Sequence, residues 1–415
     1  MNRYILFAFA AIIAGCNEGD FTSSSSLSGV SETTTTVNGQ TFTAIKGEVI
    51  DAFTITSDRT WLLDGGLYVA DGGVLTVEKG TTVYASTDGD TPLISVRIGG
   101  QIIAEGTADA PIVFTSINSI AGSASPGDWG GIILNGSAPT NLGYFGESEG
   151  GAGFYGGESA GDNSGILKYV RIEYAGKILG EENELNGLSL NAVGNGTLLE
   201  YIQTYKCSDD GFEFFGGTCN LRYAVSTGNE DDAFDWTFGW SGNGQFWVVD
   251  QDSNADNGLE ADNNEDNFSA TPFSNPILAN FTFKSNGGDV GAFLRNGTKG
   301  NLYNGIITGF SDAGIAIGDD NVVTKNLSDG TLLISNITAF KTGTSFNGPG
   351  IANSNNNNTK NITLSNRLVG SDVSNINPNE INTWFVPTDY RGAIQDNATD
   401  WTKGWARNLD GSIRN

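Results

Sequence analysis

The sequence predicts an all-β protein wound as a right-handed parallel β-helix, and three observations carry that prediction. Short runs of alternating β-formers recur between Gly, Asp and Asn turns, at a period of about 22–25 residues, in the range of solenoid repeats. Glycine is abundant, at 58 of 415 residues, while Met is nearly absent and basic residues are few. That is the composition of many short strands and tight turns. No stretch shows convincing helical periodicity. A propeller or sandwich would need antiparallel hairpins, and regular two-residue hairpin turns are lacking.

Residues 1–15 read as a signal peptide. Arg3 is followed by an apolar run, Tyr4–Ile13, too short to span a bilayer as a mature helix. The run ends in "IAGC", which resembles the bacterial lipobox and implies cleavage before Cys16 and a diacylglycerol on it. Asn17 follows, and by analogy with sorting rules this directs the protein to the outer membrane. Residues 16–44 are Ser/Thr-rich and read as a tether. Residues 45–343 carry the β-helix. Residues 344–415 are less regular and aromatic-rich, and are expected to pack over the last coil as a cap. An exported compartment permits a disulfide between Cys207 and Cys219.

The repeat is clearest where "NGLSLN" (Asn186–Asn191), "DGFEFF" (Asp210–Phe215), "DAFDWT" (Asp232–Thr237), "NGLEAD" (Asn257–Asp262), "VGAFLR" (Val290–Arg295) and "AGIAIG" (Ala313–Gly318) align. Positions three and five are apolar throughout and point inward. Position four therefore points out. Its occupants are Ser189, Glu213, Asp235, Glu260, Phe293 and Ala316. Two further files of turn residues run beside it: Asp210, Asp232 and Asn257, then Asp209, Asp231 and Asp256. Asp262 faces the end of the row.

Stacked like charges destabilise a sheet. Protonation, hydrogen bonds from turn amides, or a hard cation would relieve them. Asp209, Asp210, Glu213, Asp231, Asp232, Asp235, Glu260 and Asp262 together offer the oxygen ligands that Ca²⁺ takes. Lys206, Arg222 and Arg295 are the nearest basic residues. Phe215, Phe238 and Trp240, with Arg295, are the candidates for a ligand-binding face. Turn acids are also what any solenoid repeats. The mid-strand acids are harder to explain that way, because Asp and Glu are depleted in strands.

The formal charge of −27 repels nucleic acid and anionic headgroups. The chain has no His, which removes the commonest general base and transition-metal ligand. Zinc, nucleotide and haem are not expected.

Several stretches, "GGQIIAEGTADAPIVFTS", "GDWGGIILNGSAPTN", "DDGFEFFGG", "EDDAFDWTFGWSGNGQFWV" and "YRGAIQDNATDWTKGW", resemble a family of bacterial exported lipoproteins. It includes a major leptospiral outer-membrane lipoprotein and many Bacteroidetes relatives. The resemblance implies a pectin-lyase-like β-helix, an envelope location and a link to TonB-dependent uptake. It supplies no catalytic residues.

The expected function is a non-catalytic, lipid-anchored binding protein for a glycan or protein partner, with Ca²⁺ at its acidic face. The competing reading is a polysaccharide lyase or a two-carboxylate glycoside hydrolase using Glu213, Asp235 and Glu260. Adjacent coils would set Glu213 and Asp235 about 5 Å apart, and Glu213 and Glu260 about 9–10 Å apart, near the two hydrolase spacings. An accessory role beside a TonB-dependent receptor is the third reading.

Overall fold

The computed structural model describes residues 29–180, 183–352 and 357–415. The expected signal peptide and Cys16 lie outside the described residues. The chain winds as a parallel β-helix in which each strand pairs with its equivalent in the next coil.

One sheet is built from Leu93–Val96, Ile132–Asn135, Leu188–Asn191, Phe212–Phe215, Phe234–Thr237, Glu260–Ala261, Val290–Leu294, Ala313–Ile317 and Thr344–Asn347. The other two faces are the halves of longer, bent strands. These include Gly165–Glu173, Leu198–Tyr205, Asn220–Thr227, Asn243–Asp250, Ile277–Lys284 and Gly300–Thr308.

The bend has a local cause. At each one a single residue leaves the register and takes a left-handed φ: Tyr169, Tyr201, Tyr223, Phe246, Asn280 and Asn304. Asn tolerates that region; a bulky residue is strained there, at a cost of about 1–3 kcal/mol. Stacking offsets the strain. The Tyr169–Tyr201, Tyr201–Tyr223 and Tyr223–Phe246 ring centroids lie 4.2, 4.3 and 5.0 Å apart.

The inward positions of the repeat form one continuous core. Leu188, Leu190, Phe212, Phe214, Phe234, Trp236, Leu259 and Ala261 are all fully buried within it. Phe212 stacks on Phe234 at 4.9 Å and Phe234 on Trp247 at 4.2 Å. Large flat side chains in successive coils resist slippage by one residue, which would turn them to solvent.

The structure corrects five expectations. The tether is shorter than expected, because Val30–Val37 and Gln40–Val49 form an antiparallel hairpin on the first coil. Asn38 and Gly39 both take positive φ, the turn that a two-residue hairpin demands, and the intervening Thr run is β-branched. The hairpin covers one end of the solenoid.

A helix, Asn321–Asp329, stands where no helical pattern was expected. Asp320 caps it by accepting from the Val322 and Val323 amides, Gly330 ends it in the left-handed region, and Val323 enters the core.

Beyond Leu364 the chain does not cover the last coil; it runs back along the bend as a strap. Asn336 donates to Ser374 Oγ at 2.7 Å, Asn280 to the Tyr390 carbonyl at 2.8 Å and Gln203 to the Arg407 carbonyl at 3.0 Å. Arg407 pairs with the buried Glu173 at 2.6 Å. At the bend residue Asn304 the backbone carbonyl also finds its partner in the strap, accepting from the Gly392 amide at 2.8 Å.

Cys207 and Cys219 are free and buried, not bonded to each other. They sit at opposite ends of Phe212–Phe215, each filling its own corner of the core.

Trp240, expected on an exposed platform, is fully buried. Its strand ends at Thr237, and Phe238 and Gly239 then take positive φ, which turns the indole inward. Its Nε1 donates to the Cys219 carbonyl at 3.1 Å and its ring stacks on Phe214 at 4.1 Å.

Candidate functional site

The parallel register aligns Ser189 with Glu213, Glu213 with Asp235, Asp235 with Glu260, Glu260 with Phe293 and Phe293 with Ala316. The three acids therefore stand in one outward file at successive rungs about 4.8 Å apart. Gly187, Gly211 and Gly258, with Ala233 in the remaining coil, make the close corner possible. A Cβ on Gly211 would lie 2.3 Å from Asn229 Nδ2 and 2.6 Å from the Ala233 carbonyl.

The second file is tied to the backbone. Asp210 Oδ1 accepts from the Asp232 amide at 3.0 Å, and Asp232 Oδ1 accepts from the Asn257 amide at 2.6 Å. Each buried turn carboxylate thus satisfies the amide one rung on, an Asx ladder. The outer file, Asp209, Asp231 and Asp256, lies along the same turns and continues through Asp289 and Asp312. The Asp289 amide donates to the Asp256 carbonyl at 2.7 Å and the Asp312 amide to the Asp289 carbonyl at 2.9 Å.

Two loops roof this floor, and the repeat gives no hint of them. One, 136–164, brings Glu149; the other brings Glu184 from the ribbon of Ile178–Gly180 with Asn183–Glu184. Their signal in the sequence is only a Gly- and Glu-rich composition. Floor and loops line an open cavity of about 300 Å³, walled by acids and by one basic residue, Arg295. Asn186 donates to Glu213 and, at 3.2 Å, to Glu149.

Oxygens converge in four overlapping sets: Asp209/Asp210/Asp231, Asp210/Glu213/Asp235, Asp231/Asp232/Asp256 and Asp232/Asp235/Glu260. Within each set one oxygen per residue lies within 4.8 Å of the others. Asp235 Oδ1 is buried and has no hydrogen-bond partner among the described residues. These are hard oxygen donors with the spread that a cation coordinated at about 2.3–2.6 Å requires, so the residues fit Ca²⁺.

The electrostatics follow from burial. Burial, then repulsion from Asp231, pushes Asp209 up to about 8. Burial raises Glu149 to about 7, and raises Glu260 to about 7 against the pull of Arg295. Asp210, Glu213, Asp232 and Asp235 are all driven well above the usual carboxylate range, by burial first and by their neighbours' charges second.

Of the other expected residues, Asp262 is not among the converging oxygens. Arg295 Nε holds it at 3.0 Å and Asn296 Nδ2 at 2.8 Å, so both of its oxygens already accept hydrogen bonds. The same guanidinium also pairs with Glu260. Lys206 and Arg222 point elsewhere: Lys206 lies over the Tyr205 ring, and Arg222 pairs with Glu200 at 3.6 Å. Phe215 and Phe238 are half-buried beside each other, ring centroids 6.0 Å apart, with Tyr155 against Phe215.

Further along the same sheet the acidic cavity opens into a groove of about 810 Å³, with Phe293, Arg295, Asp289, Asp312 and Asp320 among its walls. Phe293 holds the outward position next after Glu260, under the Arg295 guanidinium. Sequence reasoning named Arg295 and placed Phe293 in the file, but did not see the groove.

Residues 47–406 match the family described as a pectate-lyase-like β-helix domain. No curated protein matches the chain, and no solved structure does.

Proposed function

The chain belongs to the pectate-lyase-like β-helix domain family, and from that premise we propose a cation-dependent binding protein of the bacterial envelope. In this reading the acidic cavity holds Ca²⁺ and the adjoining groove holds a glycan, with Phe293 as a stacking surface and Arg295 as a hydrogen-bond donor. Cys16 carries the lipid that tethers the protein to the outer membrane. A TonB-dependent receptor is the partner that such a tethered binder would serve.

One observation carries the reading: Asp235 Oδ1 is buried, without a partner among the described residues, in the middle of converging carboxylate oxygens. A cation between them supplies the missing partner and cancels the repulsion. Binding is favoured over catalysis because the guanidinium that would serve a lyase as base is committed to Glu260 and Asp262.

A glycan array run with Ca²⁺ and again with chelator tests this. The expected result is binding that chelator abolishes and that Phe293→Ala weakens. Binding indifferent to chelator would remove the cation from the account. Release of reducing ends or of unsaturated sugars would replace the binder with an enzyme.

A further inference from the structure

We propose that the groove beside the acidic cavity selects a cationic glycan, a chain of amino sugars with free amines, and rejects uronate chains. This rests on the glycan reading above and adds the charge that the sugar must carry.

The groove has an apolar floor. Val290, Phe293, Ala313 and Ala316 pack together there. The register sets Phe293 beside Ala316 and Ala316 beside Asn347. The outward file thus steps down from a ring to a methyl group, and the groove of about 810 Å³ lies over that step. Phe293 is half-buried, so part of its ring remains for a ligand.

The walls carry one sign of charge. Asp256, Glu260, Asp289, Asp312, Asp319 and Asp320 all line the groove, against a single basic residue, Arg295. The Arg295 guanidinium pairs with Glu260 and Asp262, so its charge is already countered. Asp289, Asp312 and Asp319 are exposed, and the one cation of the lining pairs with none of them. Asp320 Oδ1 accepts from the Val322 and Val323 amides, while Oδ2 is buried with no hydrogen-bond partner among the described residues. That oxygen lies at the groove wall, 3.5 Å from where a Cβ on Gly318 would stand. A cleft walled by one sign of charge concentrates ligands of the other sign.

One wall is also periodic. The Asp289 amide donates to the Asp256 carbonyl at 2.7 Å and the Asp312 amide to the Asp289 carbonyl at 2.9 Å. These acids therefore recur once per rung, about every 4.8 Å. A diequatorially 1,4-linked pyranose chain advances by nearly the same step per ring. Laid along the helix axis, such a chain meets a new carboxylate at each ring. A uronate would face its own sign at every rung, at contact distances well inside the Debye length of about 10 Å. An amine at each ring reverses that force at every rung.

Calorimetry on the whole protein at pH 6, with Ca²⁺ present throughout, tests the selection with three tetrasaccharides: glucosamine, N-acetylglucosamine and galacturonate. Tetralysine serves as a cation without a sugar. The glucosamine tetramer is expected to bind at least tenfold more tightly than its N-acetylated counterpart, more weakly as salt is raised, and galacturonate not at all. Asp289→Asn/Asp312→Asn is expected to cut the tenfold ratio to threefold or less. The N-acetylated or galacturonate tetramer binding as tightly as the glucosamine one would overturn the charge selection and leave the glycan site standing. Tetralysine binding as tightly as the glucosamine tetramer would show bare charge attraction and overturn the proposal. No heat with any of the three sugars would overturn the glycan reading and the selection together.

Discussion

Raising the pH is expected to destabilise the metal-free protein across a window where most proteins change little. A carboxyl whose folded pKa is raised holds its proton more tightly folded than unfolded. Its contribution is fully present below the unfolded pKa and is lost as pH rises through the folded one. For Glu260 that window runs from 4.5 to about 7, and the side chain is only 15% exposed. At 1.36 kcal/mol per unit, this one group costs about 3 kcal/mol by pH 8. Glu149 shifts over the same window, and the two share one cavity, so the prediction is set at the single-group value.

The other raised acids of the cavity, Asp209 among them, act in the same direction, and no imidazole or thiol opposes them. The chain has no His, and burial lifts both core thiols to about 12. Urea unfolding in chelator at pH 5, 6, 7 and 8 reads the effect as a falling midpoint. Saturating Ca²⁺ is expected to remove the fall, because the cation replaces the protons. A midpoint in chelator that stays level or rises from pH 5 to pH 8 would refute the argument.

The amide ladder separates charge from hydrogen bonding. Asp232→Asn keeps an acceptor for the Asn257 amide and is expected to raise the chelator midpoint at pH 8. Asp232→Ala strands that buried amide and is expected to cost about 1–3 kcal/mol; urea midpoints compare the two. Trp405→Ala, at a fully buried indole packed edge-on against Tyr169, is expected to cost about 3–5 kcal/mol. It should also free the C-terminal strap for proteolysis before the coils unfold.

What the sequence made legible is what a period-two alternation between glycine corners controls. "DGFEFF" and "DAFDWT" give the register of the acidic file because one slipped residue would expose Phe212, Phe214, Phe234 and Trp236. The same alternation misleads past a strand end, and Trp240 is the case: two positive-φ residues precede it, and no side-chain pattern announces them. The extension of the outer file to Asp289 and Asp312 was readable, since each directly precedes an aligned strand. The column Tyr201, Tyr223, Phe246, Asn280, Asn304, Asn336 was also present in the longer strands. It marks the left-handed bend, and hence the groove into which the strap fits. Glu149 and Glu184 lie in insertions outside the repeat, where position in sequence carries no information about position in space. The Asn38–Gly39 turn was a true hairpin signal hidden in a Thr run that resembles a tether in composition.

The central claim is that carboxylates from successive coils converge tightly enough to hold a cation. Calorimetric titration of Ca²⁺ into the full-length protein at neutral pH tests it most directly, beside the Glu213→Gln/Asp235→Asn variant. Saturable binding of at least one ion per chain is predicted in the wild type and weaker binding, or fewer ions, in the variant, with both folded by circular dichroism. A wild type that takes up no Ca²⁺, or a variant that binds it equally well, would contradict it.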